Sequence, residues 1–128
     1  MRNLSVLLAG LPLLFLVGGC QKLSFKQTVK LEPMARWRAN FDPPTYDQDV
    51  TVEIKTQGSN IAAFLGYTAD VEQAVAAQAH PKNPIAQTLN IDGTATLKGK
   101  IDAKKAFSVL LINSGSSPAE VTVNVSGK

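Results

Sequence analysis

The chain has 128 residues and a formal charge of +3. That length holds one core and excludes a large multilayer enzyme. Aromatic residues make up only 6% of the chain, and the basic residues are scattered, with small pairs at Arg36/Arg38 and Lys104/Lys105. A nucleic-acid partner is not expected without a basic stripe or an aromatic platform, and the charge reads as solubility.

Met1-Arg2-Asn3 is short and positive, and Leu4 to Val17 (LSVLLAGLPLLFLV) carries no charge. Gly18 and Gly19 then lead into Cys20. A positive start, an apolar run of this length and small residues at the exit describe a secretory signal peptide, here residues 1–19. A membrane span needs about 20 apolar residues, and this run is shorter and holds Pro12. Gly10 and Pro12 likewise oppose a buried core helix.

Val17-Gly18-Gly19-Cys20 resembles the lipobox of bacterial lipoproteins, with Val and Gly as less usual choices at its first two positions. The resemblance covers about the first 20 residues and implies cleavage between Gly19 and Cys20. It also implies a diacylglycerol thioether on Cys20 and an acylated new amine. Gln21, where enteric-type proteins kept at the inner membrane carry Asp, implies the outer membrane in a Gram-negative envelope.

Cysteine arithmetic agrees, because one Cys cannot form an internal disulfide and an unpaired Cys in an exported chain needs an explanation. Lipid supplies one; a free or intermolecular thiol is the alternative. Each buried acyl methylene contributes about 0.8 kcal/mol, so several chains on one residue anchor far more firmly than one.

After a lipidated start and short tether at residues 20–22, one β-sandwich is expected over 23–128. Leu23, Phe25, Val29 and Leu31 occupy odd positions, which favours an early strand over a longer tether. Glu32-Pro33 ends it. In Met34–Asn40, Trp37 lies between Arg36 and Arg38. Two readings are open: an exposed Trp flanked by cations that contacts a protein or a sugar, or a Trp facing the core with both arginines outward. Strand alternation favours the second.

Phe41 to Tyr46 is rich in turn residues. Val50, Val52 and Ile54 alternate with Thr51, Glu53 and Lys55, the cleanest strand pattern in the chain. Ile61 to Tyr67 is apolar on both sides and suits a strand covered on both faces. Asp70–Ala79 reads as a short helix with Thr68 or Asp70 as cap, four alanines in its favour, and His80-Pro81 as its stop. It is too short to be stable alone and is expected to lie on the sheet or form a partly ordered excursion.

Ile85–Leu89 leads to Asp92-Gly93, a hairpin signal, and Thr94–Leu97 continues beyond it. Lys98-Gly99-Lys100 reads as another turn. Ala106–Ile112 is a buried strand, Asn113–Pro118 a loop, and Val121, Val123 and Val125 alternate with polar residues; the last two runs are expected to pair as a hairpin. The whole is an all-β, jelly-roll-like antiparallel sandwich with one short helix. AFSVLLINSGSSPAEVTVNV resembles the end of the pre-peptidase C-terminal type of exported bacterial sandwich.

Catalytic patterns are sparse. His80 is the one histidine, so a Ser-His-Asp triad would have to use it, and no G-x-S-x-G elbow occurs. One Cys and one His do not make a zinc site. Asp42, Asp47 and Asp49 are close in sequence and suit either a calcium ion or, more commonly, turn and strand flanks. No cofactor is expected. Two functions follow: a lipid-anchored, non-enzymatic binding or structural module with an envelope protein or polysaccharide partner, or a small exported hydrolase or enzyme accessory using His80 and the loop carboxylates.

Overall fold

A computed structural model describes residues 23–128. The expected signal peptide over 1–19, the Gly19–Cys20 cleavage, the lipidation of Cys20 and the tether at 20–22 lie outside the described residues.

Eight strands and one helix follow in order: β1 (Ser24–Leu31), β2 (Arg36–Phe41), β3 (Gln48–Gln57), β4 (Ile61–Tyr67), α1 (Thr68–Ala77), β5 (Ala86–Ile91), β6 (Thr94–Ile101), β7 (Phe107–Asn113) and β8 (Ala119–Gly127). They form two four-stranded sheets, ordered β1-β8-β3-β6 and β2-β7-β4-β5. Every pairing is antiparallel. This is jelly-roll order, and the expected β-sandwich is the observed fold.

Alternation builds the first sheet. Val50, Val52 and Ile54 of β3 and Val121, Val123 and Val125 of β8 face inward and are at most 2% exposed. Their outward neighbours are polar. The second sheet is buried on both sides at its centre. Ile61, Ala63, Leu65, Val109 and Leu111 join the inter-sheet core, whereas Ala62, Phe64, Leu110 and Ile112 pack under Val71 of α1. That covering helix is why β4 and β7 read as continuous apolar runs.

Phe25, Trp37 and Phe41 close the side of the sandwich between edge strands β1 and β2. The Phe25 and Phe41 rings meet edge-on at 5.3 Å, and Phe41 stacks on Phe107 at 5.0 Å. On the other side, a Cβ at Gly99 would run into Ile85. Lys98-Gly99-Lys100 is therefore not a turn. β6 continues through it to Ile101, and the glycine makes room for Ile85.

Both expected hairpins are absent. β5 and β6, around Asp92-Gly93, lie in different sheets, as do β7 and β8. Gly93 still supplies a positive φ of 106° and its carbonyl accepts from the Thr56 amide at 2.7 Å. The chain reverses there as its turn chemistry requires, but each flanking strand finds its partners elsewhere. The helix starts two residues before the expected Asp70, with Tyr67 at the N-cap and no side-chain cap. It closes at Gln78, which is left-handed (φ 53°).

Candidate functional site

Strand β2 places Trp37 and its arginines. Trp37 is half-buried and packs against the inter-sheet core, 6.3 Å from the Phe25 ring. Arg36 and Arg38 alternate to the outer face. The Arg36 guanidinium donates to the Ala79 carbonyl at 2.8 Å, joining β2 to the segment after α1. Arg38 is exposed.

His80 lies on the surface, its ring 4.9 Å from that of Phe64. Asp70 and His80 share a hollow of about 160 Å³ with Gln73, Ala77 and Lys82. The two Asp70 oxygens accept the backbone amides of Lys82 and Asn83 at 3.2 and 3.0 Å. They hold the loop after the helix closed rather than orienting the imidazole.

The aspartates before and within β3 have separate surroundings. Asp47 accepts the Ala103 amide at 2.8 Å, tying the β2–β3 loop to the β6–β7 loop. Asp49 sits opposite Lys100 in the β3–β6 register. Among the described residues no three His, Cys or carboxylate groups converge to hold a metal ion.

A larger hollow, about 380 Å³, lies on the outer face of the β1-β8-β3-β6 sheet. Lys26, Glu53, Lys55, Thr96, Thr122 and Asn124 line it. Register explains the arrangement, since Lys26, Asn124, Glu53 and Thr96 form one row across the four strands. Thr28, Thr122, Lys55 and Thr94 form the next, with the Thr28 and Thr122 hydroxyls 2.9 Å apart. The one ion pair among the described residues is Lys105–Asp102, so the lysines of this face are unpaired. The face offers ammonium, carboxylate, hydroxyl and amide groups to a hydrophilic ligand, with the Asn124 amide donating to Glu53 at 3.5 Å. Sequence reasoning missed it because each strand alone shows ordinary solvent-facing polar residues; only the register puts them in rows.

Two loop clusters cap the sandwich. At one end the Lys104 amide donates to the Pro44 carbonyl at 2.7 Å, and the Lys128 amide to that of Asp49 at 3.0 Å. Leu23 is at this end, its carbonyl accepting the Gly127 amide at 3.0 Å. At the other end the Met34 amide donates to the Asn113 carbonyl at 3.0 Å. Met34 holds a left-handed φ of 68° and leaves its side chain 78% exposed.

No family model matches the chain, and no curated protein does. Solved structures share its fold. PliG of Aeromonas hydrophila, described as a periplasmic lysozyme inhibitor of g-type lysozyme, aligns with a TM-score of 0.54 at 13% identity, covering 88% of this chain and 93% of that one. The Yersinia pseudotuberculosis-derived mitogen aligns at 0.58 with 7% identity, over 82% and 86% of the two chains. The pre-peptidase C-terminal domain of a Bacillus anthracis collagenase aligns at 0.51 with 10% identity, over 78% and 88%. At these identities the likeness is one of fold, and this chain folds as a β-sandwich.

Proposed function

We propose that this protein is a cell-envelope lipoprotein held on a membrane by acylated Cys20, in a Gram-negative envelope the outer one, whose sandwich is a non-enzymatic binding module. The observation that carries the module reading is the outer face of the β1-β8-β3-β6 sheet, where an open hollow is lined by Lys26 and Lys55, which form no ion pair among the described residues, by the Glu53 carboxylate, and by hydroxyl and amide groups. The commitment of Asp70 to the Lys82 and Asn83 amides supports the same reading, because these oxygens hold a loop and not the His80 ring. The shared fold of the A. hydrophila periplasmic inhibitor supports a sandwich of this size as a protein-binding module in the envelope. The Val17–Cys20 lipobox supports the anchor.

Fractionation of envelopes carrying wild-type and Cys20→Ala protein tests the anchor. Wild-type enters the detergent phase, and Cys20→Ala appears as soluble exported protein or as uncut precursor. Equal membrane retention of the two would end the anchor reading. A hydrolase screen on purified protein tests the module reading: turnover abolished by His80→Ala would replace it with an enzyme.

A further inference from the structure

We infer that the end of the sandwich formed by the β2–β3 and β6–β7 loops rests against the membrane surface, with Tyr46 in the headgroup layer and Met34 at the far tip. The inference rests on the lipid anchor proposed above and adds an orientation to it. Cys20 is three residues before Leu23, a length of chain that spans at most about 11 Å. Headgroups occupy about 5–8 Å on each side of the hydrocarbon core. A domain tied at the base of that layer stands only a few ångströms clear of it, so the end nearest the tether meets the headgroups.

Hydrogen bonds identify that end. Leu23 is bonded to Gly127, and Lys128 to Asp49, the second residue of β3. Asp47 is bonded to Ala103 and Pro44 to Lys104. The β2–β3 loop therefore closes the same end as the tether and carries Tyr46, which is 79% exposed. An exposed tyrosine has an apolar ring and a polar tip, the combination that settles at a membrane interface. Lys104, Lys105 and Lys128 lie at this end, matched by Asp47, Asp49 and Asp102, so the occupant is a lipid surface met through proximity and Tyr46 rather than through net charge. Met34 is separated from this end by the length of β1, eight residues or about 26 Å.

Acylation of Cys20 leaves no other thiol in the chain, so single cysteines report position cleanly. Tyr46→Cys, Thr45→Cys (which keeps Tyr46) and Met34→Cys are labelled with a polarity-sensitive fluorophore in the lipidated protein. Each is placed in phosphatidylethanolamine–phosphatidylglycerol vesicles, with intact mass and flotation read on the same samples. The expected result is blue-shifted emission at 45 and 46, quenched by brominated lipid, and a water-like spectrum at 34. Acylated protein that floats yet shows water-like spectra at 45 and 46 overturns the orientation and leaves the anchor standing. Unacylated protein that fails to float overturns both. Shielding at 46 that follows protein concentration instead of lipid overturns it too, assigning this end to a second copy of the chain.

Discussion

The side-chain amide of Asn113, at the end of β7, donates to the Leu31 carbonyl at the end of β1 over 3.0 Å. One residue thereby ties the two sheets together where their hydrogen-bond ladders stop. The same amide donates to the Ser117 carbonyl at 2.9 Å, and its oxygen accepts the Gly115 amide at 3.0 Å. Asn113 is wholly buried, so it has no water to replace these partners.

Asn113→Ala is therefore expected to cost about 2–4 kcal/mol, because backbone groups lose their partners inside the protein. In urea unfolding the midpoint falls while the slope is unchanged. An unaltered midpoint would mean that the loop re-forms these bonds without the side chain.

Val109 tests the core in a different way. It is fully buried in β7 between Ala39 of β2 and Leu65 of β4. Val109→Asp introduces a carboxylate with no cation among those neighbours, a burden of several kcal/mol against a total stability of about 5–15 kcal/mol. The variant is expected to lose its β-sheet circular dichroism or its cooperative melt. A native melting curve would place β7 elsewhere.

Strand identity was legible in long runs where burial is one-sided or complete, but not at Lys98–Lys100, where Gly99 reads as a turn inside β6. Val50, Val52 and Ile54 show the period of two because their sheet faces solvent outward, and Ile61–Tyr67 hides it because α1 covers the outer side. Pairing was not legible. Asp92-Gly93 has the chemistry of a reversal, but turn chemistry says nothing about which sheet receives the next strand. In this topology β5 and β6 belong to different sheets, as do β7 and β8. The candidate site was hidden for the same reason. Lys26, Glu53, Lys55, Thr96, Thr122 and Asn124 come from four strands and meet only through long-range register.

Arg36 and Arg38 flank one tryptophan but separate by role. Arg36→Ala removes the bond to the Ala79 carbonyl, an exposed contact worth less than about 1 kcal/mol. Its readout is local: amide exchange at Ala79 and His80 accelerates while the melting temperature moves little. Arg38→Ala, at an exposed position with no ion-pair partner among the described residues, is expected to stay within about 0.5 kcal/mol of wild type. Equal exchange profiles for the two variants would remove Arg36 as the link between β2 and the helix end.

The role of Gly99 is steric rather than conformational. Its φ is not positive, so the backbone accepts an L-residue, but an added Cβ meets the Ile85 side chain and approaches Leu65 Cδ2 to 3.2 Å. Gly99→Ala is expected to destabilise the domain by about 1–3 kcal/mol through overpacking. Ile85→Ala alone is expected to cost about 2 kcal/mol, toward the low end for a core truncation because Ile85 is only partly buried. The double variant replaces the lost isoleucine volume in part with the new methyl, so the two costs do not add; a double-mutant cycle should show a favourable coupling of about 1 kcal/mol or more. Strict additivity would mean that Gly99 and Ile85 do not compete for the same space.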